Sequence, residues 1–279
     1  MSHARVIGMT ALAMLAFAGN SLLCRVALKD TGIDAASFTT IRLVSGAVML
    51  WLLVCTRRGT YSGSGSWLSA LMLFAYAAGF SFAYLSLPAA AGALILFGAV
   101  QATMITHGIV RGERFRGRQL LGLVLAFGGL VGLMLPGLSA PPLYGSLLML
   151  AAGGAWGIYS LRGKGAGDPL RVTAGNFIRA IPFAIVLSAF SFKAISVDGA
   201  GFWYALASGA ITSGVGYAIW YTALPALKAT NAATVQLSVP VIAALGGIVF
   251  LGESLTMRLA ITSVAIIGGI ALVVMSKAE

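Results

Sequence analysis

Tyr84-Leu85-Ser86-Leu87-Pro88 returns, 137 positions later, as Tyr221-Thr222-Ala223-Leu224-Pro225. The same offset carries Ile41-Arg42 onto Ile178-Arg179 and Gly79 onto Gly216. After a three-residue insertion, Gly112-Glu113 falls on Gly252-Glu253 and Gly128-Gly129 on Gly268-Gly269. Self-similarity at a long fixed offset marks a chain built of two related units. The expected division gives a first half of residues 1–137 and a second of 138–279.

Both halves consist of apolar stretches of membrane length. Hydrophobic residues make up 59% of the chain and charged ones 9%, with a mean hydropathy of +0.96. A water-soluble domain carries roughly 25% charged residues, so the expected solvent is a bilayer. The net charge of +11 lies in short clusters between apolar runs. That pattern suits loops facing anionic lipid rather than a groove tracking phosphates, and nucleic acid is not an expected partner.

Apolar runs of about 20 residues give ten spans: Val6–Leu23, Ala36–Cys55, Trp67–Leu87, Ala89–Val110, Gly117–Leu135, Leu143–Leu161, Leu170–Phe190, Gly201–Leu224, Ala226–Leu251 and Thr256–Met275. Turn residues join them, as in Pro136-Gly137, Pro141-Pro142 and Asp168-Pro169. The fold class is therefore an all-α integral membrane protein. Five helices per half is an odd number, so the second half enters from the opposite face and the repeat is inverted. Cys24 and Cys55 then lie at opposite faces and cannot pair.

Loop charge sets the orientation. The N-terminal side holds Arg5, Arg57, Arg58, Arg111, Arg114, Arg116, Arg118, Arg162, Lys164, Arg171, Lys228 and Lys277. The other side holds Arg25, Lys29, Lys193 and Arg258. Twelve basic residues against four put both termini in the cytoplasm. Ala16-Phe17-Ala18 resembles a signal-peptidase site, but the first span has a partner in the sixth, so it is read as a retained helix.

These motifs together resemble the EamA branch of the drug/metabolite transporter superfamily. The resemblance rests on the pairs Gly112-Glu113 and Gly252-Glu253 before the last helix of each half. It also rests on an arginine in the second helix of each half (Arg42, Arg179) and on the glycine-rich final helices. Within that family the chain looks most like the YddG group, which exports aromatic and other neutral amino acids from bacteria. The resemblance implies a ten-helix basket with the fifth and tenth helices peripheral and the others around a central cavity. It also implies a bacterial inner-membrane location and a small-molecule substrate, an amino acid, moved by alternating access. Exporters of other metabolites or hydrophobic drugs share this architecture, and that alternative stays open, as do the coupling ion and the choice between monomer and homodimer.

The chain departs from the small multidrug-resistance relatives, which couple to protons through a glutamate in the first helix. Its seven acids (Asp30, Asp34, Glu113, Asp168, Asp198, Glu253, Glu279) all fall at helix ends, in loops or at the terminus. No nucleophile–base pair or metal-ligand set can be assembled with His3 and His107 at the edges. An enzyme is not expected, nor is a cofactor or a resident metal.

Candidate substrate contacts follow from the twin helices. Tyr76, Phe80 and Tyr84 recur at i, i+4 and i+8 on the third span, and Ser213, Tyr217 and Tyr221 answer them on the eighth. For Phe80 and Tyr217, packing and substrate contact are equally weighted readings. Gln101 and Gln236 lie near the centres of the fourth and ninth spans, as interhelical bonds or as contacts to a zwitterion. Asn20 on the first span and Trp156 and Tyr159 on the sixth hold equivalent places. Pro88 and Pro225 mark the corners expected to act as gate hinges at opposite mouths. Arg42 and Arg179 read as structural anchors on backbone carbonyls or as carboxylate ligands. Glu113 and Glu253 read as stabilisers of helix N-termini.

Overall fold

Capping chemistry sets the helix boundaries. In the computed structural model, which describes residues 2–57, 63–112, 117–135, 137, 140–163, 167–227 and 235–275, the Asp34 carboxylate accepts from the amides of Ala36 and Ser37 and opens the second helix. Ser66 accepts from Ser69 N, and Asp168 accepts from Arg171 N with Pro169 in the first turn. Asp198 accepts from Gly201 N. Each polar side chain satisfies an amide that a helix start leaves unbonded. Glu113, Lys228 and Glu279 lie outside the described residues.

The helices are α1 (His3–Asp30), α2 (Ala35–Thr56), α3 (Trp67–Tyr84), α4 (Ala89–Val110), α5 (Gly117–Met134), α6 (Leu143–Gly163) and α7 (Pro169–Phe190). The eighth span, α8, is continuous but composite, running as Gly199–Ala207, a π-helical segment Ser208–Val215, and Gly216–Ala223. It ends in a 3₁₀ turn, Leu224–Ala226. α9 (Ser238–Leu251) and α10 (Met257–Met275) complete the set. No strand occurs among the described residues. The architecture is thus the all-helical, ten-span one expected.

Two boundaries differ from expectation. α1 runs on past Leu23 to Asp30, because no glycine or proline interrupts it before Gly32 and the polar Arg25 finds carbonyl partners at Tyr84 and Leu85. Residues 224–226 turn as 3₁₀ helix rather than opening the ninth span, since Pro225 cannot donate a backbone hydrogen bond.

Packing is the same when the halves are exchanged. α2 packs on α7 and α5 on α10, each helix against its own counterpart. α3 on α6 is answered by α8 on α1, and α4 on α6 by α9 on α1. The α5–α10 pair lies at the edge of the bundle, meeting the rest mainly through α4, and its seam is built from glycines. A Cβ on Gly269 would lie 2.5 Å from Gly122 O and 2.6 Å from Ala126 N, so only hydrogen permits that approach. The outward faces of this pair carry Leu120, Val124, Phe127, Ile261 and Val264. Six of the described helices (α1, α2, α3, α4, α5 and α7) are long and apolar enough to cross a membrane.

The side of the bundle where α1 begins is here termed near, and the side where α1 ends, far. Polar bonds tie the halves together at both. On the near side Arg57 pairs with Asp168 at 3.1 Å, and Arg179 donates to the carbonyls of Ser64 and Gly175. On the far side Asp34 Oδ2 accepts from Ser196 N at 2.9 Å. Glu253 is a correction to its sequence reading. It stabilises a helix N-terminus, but that of α4 rather than its own α10: both carboxylate oxygens accept from Ala89 N, at 3.0 and 2.8 Å. Gly252, at φ +61°, makes the left-handed turn that ends α9 and swings the carboxylate across. Arg25 Nε lies 3.4 Å from the same carboxylate.

Candidate functional site

A cavity lies where α1, α3, α4, α6 and α8 converge. α1 brings Phe17, Asn20 and Ser21 to it, and α3 brings Tyr76 and Phe80 one helical turn apart. α4 contributes Leu96 and Phe97, and α6 contributes Trp156. α8 supplies Thr212, Ser213 and Tyr217, and Gln236 completes the lining. The enclosed volume is about 30 Å³, room for a water or two but not for a solute of amino-acid size.

Aromatic rings fill the remaining space. Trp156 is the hub, with ring centroids 4.7 Å from Tyr76, 5.2 Å from Tyr217 and 5.3 Å from Tyr159. Tyr76 and Phe80 lie 5.4 Å apart, and Phe17 meets Tyr217 edge-on at 5.7 Å. Such offset and edge-on pairs gain from the ring quadrupole beyond the area they bury.

A polar thread runs behind the rings. Asn20 Oδ1 accepts from Ser208 Oγ at 2.7 Å and Thr212 Oγ1 at 3.3 Å, while Asn20 Nδ2 donates to Tyr76 Oη at 3.3 Å. Arg42 on α2 joins it, donating from Nη2 to Tyr76 Oη at 2.9 Å and from Nε to Ser213 Oγ at 3.4 Å. Its guanidinium carbon sits 5.1 and 5.0 Å from the ring centres of Tyr76 and Phe80, within cation–π range. The close approach of α2 to the π segment depends on two glycines. A Cβ on Gly46 would lie 3.1 Å from Gly209 O, besides 2.6 Å from the Phe177 ring of α7, and one on Gly209 would meet Ser45 Oγ and Arg42 O. π-helical turns are rare and concentrate at functional positions.

Of the residues singled out in the sequence, Asn20, Tyr76, Phe80, Trp156, Ser213, Tyr217 and Gln236 meet at this cavity. Tyr159 stands one layer back, stacked on Trp156, its hydroxyl accepting from Asn176 Nδ2 at 3.4 Å. Gln101 does not reach the cavity. It shares a face of α4 with Gly98 and Ile105, turned toward Leu123 and Phe127 of α5 and Ile266 of α10. Pro88 immediately precedes α4, and Pro225 sits within the 3₁₀ turn after α8. Sequence reading missed Phe17, Ser21 and Thr212, which stand in uniformly apolar or small-residue helices and carry no distinguishing spacing.

Among the described residues, no group of three or more His, Cys, Asp or Glu side chains is placed to hold a metal ion. The two cysteines are free, Cys24 buried and Cys55 exposed.

Comparison with known proteins gives this arrangement a family. Residues 143–275 match the EamA-like transporter family. An uncharacterized protein of Pseudomonas aeruginosa is 58% identical over 98% of this chain and 96% of its own. An uncharacterized transporter of Archaeoglobus fulgidus is 29% identical over 93% of this chain and 94% of its own. The threonine/homoserine exporter RhtA of Salmonella typhimurium is 32% identical over a shorter stretch, 41% of this chain and 39% of that one. A solved crystal structure with 17% identity superposes at a TM-score of 0.67 over 99% of both chains, a likeness of fold. The chain is a multi-pass membrane protein and belongs to the EamA-like transporter family.

Proposed function

We propose that this transporter exports amino acids, aromatic and other neutral ones, across the bacterial inner membrane by alternating access, with both termini in the cytoplasm. The observation that carries the reading is the cavity itself. Its walls come from counterpart helices of the two halves, α3 with α8 and α1 with α6, and its surface is aromatic with a few amides and hydroxyls. Rings offer apolar area to a side chain, and faces of Trp156 and Tyr217 suit an ammonium group. The likeness to a threonine/homoserine exporter over part of the chain favours an amino-acid cargo.

The two halves, 1–137 and 138–279, are proposed to exchange conformations about the cavity, the Pro88 corner moving with one mouth and the Pro225 corner with the other. In this conformation, bonds join the halves at both ends and aromatic rings occupy the site. The cage therefore has to part before cargo enters. The test is uptake of labelled phenylalanine, tryptophan and threonine by liposomes holding the purified protein, with and without a pH gradient. Accumulation of at least one, abolished by Phe80→Ala and Tyr217→Ala in protein that reaches the membrane, is expected. Transport untouched by both variants would place the pathway elsewhere.

A further inference from the structure

Arg42 is 2% exposed, deep among helices where a charged side chain is costly. A cation in such a place is ordinarily paired, yet Nη1 has no hydrogen-bond partner among the described residues. None of the described acids bonds to it. Glu253 is engaged by Arg25 and Ala89 N, and Asp168 by Arg57 and Arg171 N. Asp34 and Asp198 cap helices on the far side.

The neighbouring polar groups add to the imbalance. Asn20 Oδ1 is occupied by two hydroxyls. Tyr76 Oη accepts from both Arg42 and Asn20, which leaves its own proton to donate. The polar thread thus presents donors and one positive charge beside the cavity, with its acceptors spent. The counterpart residue Arg179 lacks this character, because backbone carbonyls of Ser64 and Gly175 take up its Nη1.

We propose that Arg42 is the carboxylate receptor of the transport site. The cargo class is then a monocarboxylate with a compact apolar or aromatic body, in which the carboxylate is required and the amine dispensable. This rests on the reading of the central cavity as the substrate site. Arg42 stands behind the lining, bonded to the lining residues Tyr76 and Ser213; once the rings part, its Nη1 edge is offered to one carboxylate oxygen and the Tyr76 hydroxyl proton serves the other. Parting of Trp156 from Tyr76 and Tyr217 makes room for the body of the cargo. A single guanidinium matches one negative charge, whereas an amine without a carboxylate gains only the ring faces and meets the like charge of Arg42.

The experiment uses the full-length protein in liposomes and measures competition against labelled phenylalanine. The competitors are 3-phenylpropionate, which lacks the amine, and phenethylamine and phenylalaninamide, which lack the carboxylate. Ligand-induced thermal stabilisation is read in parallel. The expected result is competition and stabilisation by 3-phenylpropionate within about tenfold of phenylalanine, with the two amines weaker by more than about tenfold. Arg42→Met should abolish that discrimination, and Arg42→Lys, which keeps the charge but loses the planar fork, should fall between. If Arg42→Met does not fold, the wild-type competitor series decides alone. Phenethylamine or phenylalaninamide acting as well as 3-phenylpropionate would overturn the proposal, as would a protein stabilised by no carboxylate in the panel. Stabilisation and transport of 3-phenylpropionate without any amino acid would retain Arg42 as receptor while rejecting amino acids as the cargo.

Discussion

Neutralising Glu253 tests how the halves are held together at the far side. In Glu253→Gln the amide oxygen can still accept from Ala89 N, so the α4 cap is weakened rather than lost. Exchanging a charge-assisted bond for a neutral one forfeits about 1 kcal/mol. Arg25 loses its ionic partner, a contact of 3.4 Å between side chains only 12% and 10% exposed. It keeps the carbonyls of Tyr84 and Leu85, so the second loss is also about 1 kcal/mol. The sum, about 2 kcal/mol, favours separation of the α9–α10 corner from α4 by roughly 30-fold. Cys24 is a native reporter: it is fully buried and adjoins Arg25. In a Cys55→Ser background, its reaction with a water-soluble thiol reagent should quicken by about 30-fold in Glu253→Gln. An unchanged labelling rate, in protein of unchanged melting temperature, would refute the idea that this carboxylate holds the two halves together.

Four further outcomes are expected. Trp156→Ala removes the ring that touches three tyrosines; it should cost about 3 kcal/mol of stability and lower transport in vesicles matched for protein content. Gly209→Ala forces a methyl group against Arg42 O and Ser45 Oγ and should lower the melting temperature by an amount equivalent to about 1–3 kcal/mol, with less effect from Gly163→Ala, where a Cβ meets nothing within 4 Å. For Asp34, burial pushes the carboxyl up, but hydrogen bonds from Ser37, Ser196 and Ala36 outweigh it and hold it below the ordinary range. Its contribution is therefore present above about pH 4 and lost as pH falls below that, and Asp34→Asn should flatten this acid limb of the melting curve. Reporter fusions at Glu279 and in the 136–142 loop should report opposite faces, and a shared face would reject the ten-span count.

Periodicity and repetition made the helices and their pairing legible, because a membrane imposes span length and a duplicated chain repeats its breakers. The same logic found the α3 and α8 aromatics, since i, i+4 spacing puts Tyr76 and Phe80 on one face whatever they touch. It failed where meaning depends on which neighbour a side chain meets. Gln101 looked equivalent to Gln236, yet the rotation of α4 turns it toward α5 and α10. Arg42 and Arg179 are sequence twins, but Arg179 reaches the Ser64 carbonyl of the 63–66 segment as well as Gly175 O on its own helix, whereas Arg42 bonds to the side chains of Tyr76 and Ser213. Glu253 was legible as a helix-start acid but not as the cap of a helix 164 positions away. Phe17 and Thr212 gave no signal, since in an apolar chain one more aromatic or threonine is unexceptional.

The π segment of α8 has a mechanical consequence. A turn that closes i to i+5 holds more residues than an α-helical turn, and each extra residue rotates everything beyond it by about 100° relative to a regular helix. Tyr217, Trp220 and Tyr221 all lie beyond Ser208–Val215, so their bearing on the cavity depends on the surplus stored there. Ser208 and Thr212 are moored to Asn20 in the upper, far-side part of the span, and the lower, near-side length beyond Val215 is not. α8 is thus a shaft with a slip joint. Passing the surplus residue along it would swing one wall of aromatic rings through a quarter turn while the upper moorings stay fixed, a torsional motion that the uninterrupted α3 has no means to perform.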